Sequence, residues 1–180
     1  MPAGFKRVGG AANGLTIAVP QEWIALDLAT ADVDKELKRT GLSGEALQQA
    51  KRSLRSLADN KAIWAADRAS VKTSRNGFAT NLNGFCQDSE QTPPPADRMI
   101  ADIKGQLQQF GAKISEAGEV PIDAGKAIRV VYTLPARGID IRGTQYYVQS
   151  PGKTCIVTLS TDQDGRQALF DEIGRTVQPV

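Results

Sequence analysis

The run from Gly125 to Thr161 constrains this chain more than any other stretch. Read in twos it contains three strands in succession: Ile128, Val130, Tyr132 and Leu134; then Ile139 through Val148; then Cys155 with Ile156, Val157 and Leu159. The links between them, Pro135-Ala136-Arg137-Gly138 and Ser150-Pro151-Gly152-Lys153, are short and rich in turn residues. Links of that length join only antiparallel neighbours, because a parallel return needs a crossover of a dozen residues or more. The stretch therefore reads as an antiparallel meander with one face on a core. Its polar partners, Arg129, Asp140, Arg142, Gln145 and Gln149, contain no evident catalytic set.

The rest of the chain reads as cover for that sheet. At 180 residues it is most economically one domain, residues 1–180, large enough to bury a core. Its 22 basic and 20 acidic side chains leave a formal charge of only +2, without the concentrated basic stripe of a nucleic-acid binder. No run of about 18 apolar residues is present, so no membrane span is expected. Met1-Pro2-Ala3-Gly4 carries no h-region and reads as a native beginning or as the scar of a removed leader, with a lipid anchor upstream as one expectation. The absence of histidine removes His-based triads, His-x-x-x-His zinc sites and the usual general base near neutral pH. With only two cysteines a four-thiolate site is out as well, so no metal and no cofactor is expected.

In chain order, Phe5 and Val8 begin a strand, Gly9 to Gly14 turn, and Leu15, Ile17 and Val19 form a second strand stopped by Pro20. Trp23 to Leu28 continues extended. From Ala31 to Asn60 the period shifts from two to 3.6, with Thr30 and Ser43 as caps of two helices. This helical insertion, about 31–60, is expected to be bracketed by strands that complete the sheet near Trp23–Leu28 and Trp64. In its second helix Leu47, Ala50, Leu54 and Leu57 make one stripe, while Lys51, Arg52 and Arg55 make a cationic face that could touch an anionic partner or simply be solvated. Phe78, Thr80, Leu82, Gly84 and Cys86 share one strand face, with Asn81 and Asn83 on the other. Pro93-Pro94-Pro95 leads into a helix from Ala96 to Phe110, whose Met99, Ile100, Ile103, Leu107 and Phe110 read as core. Lys113 to Ile122 is a strand, and Arg166 to Val177 a closing helix with Leu169, Phe170, Ile173 and Val177 inward.

Chemistry is thinly signalled. Ser160-Thr161-Asp162-Gln163-Asp164-Gly165 with Asp171 echoes a calcium loop, but the preferred reading is a strand-to-helix turn capped by Asp162 or Asp164. Tyr146-Tyr147 puts one ring on each face of the sheet, one for the core and one to line a groove. Asn81 and Asn83 are candidate hydrogen-bonding groups in such a groove. Cys86 and Cys155 each sit in an apolar strand. They are either two buried thiols of a reducing compartment or a disulfide of an exported protein.

Three stretches resemble PsbP-like proteins. Gly14-Leu15-Thr16-Ile17-Ala18-Val19-Pro20-Gln21-Glu22-Trp23 is similar to their glycine-led first-strand motif ending in Pro-x-x-Trp, and Phe78-Ala79-Thr80-Asn81-Leu82-Asn83 to their F-x-x-N-h-N strand. Gly143-Thr144-Gln145-Tyr146-Tyr147 with Thr154 to Ser160 resembles their final hairpin, and the helix after it matches, so the resemblance covers about residues 4–177. It implies an α+β fold of the Mog/PsbP type, an α/β/α sandwich in which an antiparallel sheet carries helices on both faces. The family includes a photosystem subunit, a Ran-binding nuclear protein and bacterial proteins of unassigned role. The Ala/Gly/Arg-leaning composition and the helical segment look most like its actinobacterial lipoproteins of the LpqN type. The family has no shared catalytic motif, and Cys86 and Cys155 depart from its pattern. The resemblance thus implies a non-enzymatic binding or accessory domain outside the cytoplasm, with a protein or a lipid or glycolipid as partner. A lipid or small-molecule carrier is the alternative, and an enzyme using Cys or carboxylates a further one; a cytoplasmic location is the alternative to the envelope.

Overall fold

In the computed structural model, residues 1–30, 32, 34–35, 44–136 and 138–180 are described. The alternation of the first strands produces β1 (Phe5–Gly10) and β2 (Leu15–Pro20), an antiparallel pair in which Val8 faces Ile17. The turn between them uses Gly14 at φ 75°, a left-handed conformation that a side chain resists. β3 (Ile24–Asp27) then pairs directly with β4 (Ile63–Asp67), Leu26 opposite Trp64, so the intervening segment is indeed bracketed by neighbouring strands. Within that segment α1 spans Gly44–Asp59. Thr30 does not cap a helix: its hydroxyl donates to the Asp27 carbonyl at 3.4 Å, and the Lys35 N–H is taken by Asp32 at 3.1 Å. The expected cap at Ser43, most of the first helix expected from Thr30 to Thr40 and the side chains of Leu47 and Ala50 lie outside the described residues. Leu54 and Leu57 are half-buried and belong to neither of the two core clusters.

After β4 the chain makes a single helical turn, α2 (Ser70–Thr73). The Asp67 carboxylate accepts the backbone N–H groups of Ala69 and Ser70 and curls the chain there. β5 (Thr80–Asp88), α3 (Ala96–Gln109), β6 (Lys113–Ile122), β7 (Gly125–Ala136), β8 (Ile139–Ser150), β9 (Lys153–Thr161), α4 (Gln167–Arg175) and a two-residue β10 (Gln178–Pro179) complete the fold. The seven-stranded sheet has the order β3-β4-β5-β9-β8-β7-β6, antiparallel throughout. The meander β7-β8-β9 occupies its fourth to sixth places, with β9 the central strand. The sequence reading of one sheet is corrected: β10 pairs with β2, making a separate three-stranded sheet β1-β2-β10. A two-residue strand carries no periodicity, which is why it was not legible.

Two apolar clusters lie on opposite faces of the seven-stranded sheet. One joins Leu82, Tyr146, Val148, Val157 and Leu159 to Leu15, Ile17 and Val19 of β2 and to Phe170 and Ile173 of α4. The other joins Ile128, Val130 and Tyr132 of β7 to Ile103, Met99, Ile100 and Leu107 of α3. The fold is thus mixed α+β, with large antiparallel sheets and few helices, and the cover of the first face is as much strand as helix. Phe110, expected in the core, is 78% exposed. The helix stops at Gln109, and the backbone N–H of Ala112 closes on the Leu107 carbonyl through Gly111 at φ 84°, so Phe110 leaves the helical stripe.

Candidate functional site

Strand register decides which of the sequence-designated residues meet. On the face opposite β2 and α4, a row crosses four strands: Trp64 lies opposite Asn83, Asn83 opposite Thr158, and Thr158 opposite Gln145. Two residues along, Phe85, Ile156 and Tyr147 form a second row; two residues the other way, Ala66, Asn81, Ser160 and Gly143 form a third, which continues to Tyr132. Asn81, Asn83 and Tyr147 therefore share one patch. Tyr146 does not: it is 2% exposed in the opposite core. Lys51 and Arg55 lie on α1, and both are turned to Asp34, at 2.8 and 3.3 Å. The Lys51 hydrogen bond foremost holds the Asp34 carboxyl below its ordinary range. The cationic face, which the sequence left open as solvated or partner-facing, is thus paired with an acidic residue of the same insertion at Lys51 and Arg55. Arg52 is exposed on the same helix.

Trp64, Asn81, Asn83, Phe85, Gln145, Tyr147, Ile156, Thr158 and Ser160 are all half-buried, Tyr147 at the edge of the cluster under α3, so this part of the sheet is partly open to solvent. Part of its hydrogen-bonding capacity is spent internally. The Tyr147 hydroxyl donates to Gln145 Oε1 at 2.7 Å, Gln145 Nε2 donates to Thr158 Oγ1 at 3.2 Å, and Asn81 Nδ2 donates to the Ala79 carbonyl at 2.8 Å. The Asn83 amide and the Ser160 and Tyr132 hydroxyls make no side-chain hydrogen bond among the described residues. They are absent from the enclosed orphaned atoms there, which are Asn13 Oδ1 and Asp162 Oδ1, so they reach solvent. Tyr132 is 6% exposed, and its ring lies across Gly143: a Cβ at Gly143 would stand 2.2 Å from Tyr132 Cζ and 2.5 Å from its hydroxyl oxygen. Glycine at that position lets the ring extend over β8 towards Ser160. Burial pushes the Tyr132 hydroxyl up to about 12, and burial with the neighbouring Tyr132 does the same for Tyr147. Both hydroxyls are protonated donors at neutral pH.

A second feature was not designated from sequence. Between β6, β7, β8 and α4 lies a groove of about 720 Å³ lined by Glu116, Val120, Arg129, Tyr146, Asp171 and Arg175 among others. Arg129, with a side chain 12% exposed, donates to both Asp171 oxygens at 2.8 and 3.1 Å and to Glu116 at 2.6 Å. Asp171 also accepts from the Tyr146 hydroxyl at 2.8 Å and Gln167 Nε2 at 2.9 Å. Burial works against the Arg129 charge, but the Glu116 and Asp171 bonds prevail and hold its pKa above the ordinary value. Burial foremost, and then the Asp171 carboxylate, raises Tyr146 too. The β-bulge between Ile114 and Glu116 is what brings Glu116 to this side, because one extra residue reverses the alternation of the strand. An Arg on a strand and an Asp on a helix are 42 residues apart, and no spacing rule links them. Asp171 thus ties α4 to Arg129 of β7 and Tyr146 of β8, and its carboxylate pins the helix to the sheet. A smaller hollow of about 530 Å³ beside the start of α4 is lined by Arg142, Arg166, Asp140 and Gln163 among others. There Arg142 is paired with Asp164 and Arg166 with Asp67.

The calcium-loop echo dissolves for the same reason. Asp162 Oδ2 accepts from Ser74 and Asn76 at 2.6 and 2.9 Å, Asp164 pairs with Arg142, and Asp171 with Arg129, so the carboxylates face separate partners. Neither Asp162 nor Asp164 caps α4, whose N-cap is Arg166 with no side-chain cap. Cys86 and Cys155 are directly opposite in β5 and β9 and are joined, with Cα atoms 3.9 Å apart. Among the described residues no helix is long and apolar enough to cross a membrane.

No family description matches the chain, and no curated protein matches it. Solved structures do. The solution structure of cyanobacterial PsbP (CyanoP) from Synechocystis sp. PCC 6803 aligns over 100% of this chain and 95% of its own, with TM-score 0.56 and 16% identity. A crystal structure from Bacteroides thetaiotaomicron VPI-5482 aligns over 98% of this chain and 49% of its own, with TM-score 0.54 and 9% identity. A protein of unknown function, PA94 from Pseudomonas aeruginosa, aligns over 57% of this chain and 74% of its own at TM-score 0.47 and 19% identity. At these identities the likeness is one of fold.

Proposed function

We propose that this chain, whose fold is PsbP-like, is a non-enzymatic binding or accessory domain that holds its partner on the open face of β4, β5, β9 and β8. The observation that carries the reading is the convergence of Asn81, Asn83 and Tyr147 with Trp64 and Phe85 on one half-buried patch, with the Asn83, Ser160 and Tyr132 polar groups unspent. A patch of rings with a few placed polar groups suits recognition. Proton-transfer chemistry is poorly served: the chain has no histidine, Asp171 is engaged by Arg129, Tyr146 and Gln167, and all three tyrosines hold their protons. The two hollows are lined by charged side chains, which suits a carrier of apolar cargo poorly. The Cys86–Cys155 bond supports an oxidising compartment, consistent with an extracytoplasmic place in a bacterial, on composition actinobacterial, cell envelope. The full α/β/α layering of the family is part of the same reading.

The test is a ¹⁵N-labelled spectrum recorded against a mixed library of short peptides, oligosaccharides and alkyl detergents. Binders are expected to shift the Asn81 and Asn83 amide groups, Thr158 and the Trp64 indole. Shifts confined to Arg129 and Asp171, or chemical conversion of a library compound, overturn the reading.

A further inference from the structure

We infer that the ligand of this face is an uncharged oligosaccharide, an assignment that rests on the proposed binding role and adds the chemistry of what is bound. The three rows across β4, β5, β9 and β8 contain no carboxylate, ammonium or guanidinium group; they offer amides, hydroxyls and rings. An anionic ligand would find no counter-charge there, nor would a cationic one, and each would lose hydration without compensation. An alkyl chain would leave the Asn83 amide and the Ser160 hydroxyl without partners, at a desolvation cost. A sugar ring satisfies both halves of the patch. Its C–H face lies on an aromatic ring such as Trp64 or Phe85, and its neighbouring hydroxyls match the paired donor and acceptor of an asparagine amide.

Tyr132 points the same way independently. It is only 6% exposed, yet its hydroxyl makes no hydrogen bond among the described residues and emerges over Gly143, whose cross-strand neighbour is Ser160. Buried tyrosines ordinarily find a partner for the hydroxyl. Because its pKa is raised by burial, this hydroxyl stays a donor, and since it reaches solvent it can exchange its water for a sugar oxygen.

Maltohexaose, cellohexaose and laminarihexaose are the probes, titrated into the intact chain and followed by the ¹⁵N spectrum, with a neutral peptide and dodecyl maltoside in parallel. At least one hexasaccharide is expected to shift Asn81, Asn83 and the Trp64 indole saturably. Asn83→Ala and Ser160→Ala are each expected to weaken that binding about two- to tenfold, the value of one neutral hydrogen bond, with the melting temperature unchanged. If the peptide, or only the alkyl-bearing detergent, shifts the same residues and no hexasaccharide does, the sugar assignment falls and the binding face stands. If nothing moves the face, both fall. The wild-type titration decides between these outcomes even if a variant fails to fold.

Discussion

Tyr146 and Gly174 show how much rests on single side chains. A Cβ at Gly174 would lie 2.2 Å from two atoms of the Tyr146 ring, which cannot swing away because it is 2% exposed and its hydroxyl is bound to Asp171. Helix propensity alone predicts that Gly174→Ala stabilises by about 1 kcal/mol. Overpacking costs about 1–3 kcal/mol and is expected to win, so urea denaturation should show a net loss of stability and weaker seating of α4. The three tyrosines of the chain make a second test, since all have raised pKa values. In the unfolded chain a tyrosine ionises near pH 10. The folded form holds its proton to about 12 at Tyr132 and Tyr147, so the stability they contribute is complete below about pH 10 and is lost as pH rises towards 12. Ultraviolet titration of the native protein should show no phenolate forming near pH 10; a native phenolate there would place at least one ring outside its core.

At the scale of elements, β5 and β9 are the pair that the cysteines reinforce. The bond spans 69 residues, a closed loop that contains α3, β6, β7 and β8, so it fixes the return of the meander onto β5. Loop-closure entropy puts its contribution at roughly 4 kcal/mol. Reduction, or Cys86→Ala with Cys155→Ala, should lower the melting temperature appreciably. Two alkylatable thiols in denatured, never-reduced protein would show that the bond does not form. The sequence placed each cysteine in an apolar strand but left open whether they were joined, because pairing depends on β5 and β9 being adjacent and in register, with Cys86 opposite Cys155. The same limit explains Phe110: its place in the stripe from Met99 was legible, while the helix stop at Gln109 depends on how the chain turns into β6.

For the whole molecule, the local pattern was sufficient for the strands of the meander, the span of α3 to within a residue, β6 and the return from β3 to β4 around the insertion, because side-chain period and turn residues act over a few positions. The face shared by Asn81 and Asn83 was legible for the same reason. What brought Tyr147, Trp64 and Phe85 to them, and carried Tyr146 to the opposite core, was strand order, β4-β5-β9-β8, a property of distant segments. The second sheet through β10 and the Arg129–Asp171 pair across 42 residues belong to that class as well. The sequence by itself determined the elements and which residues each strand turns to one side. Only the tertiary structure decided which strands lie together, and hence which side chains share a surface, because contacts across a sheet join residues that no period along the chain relates.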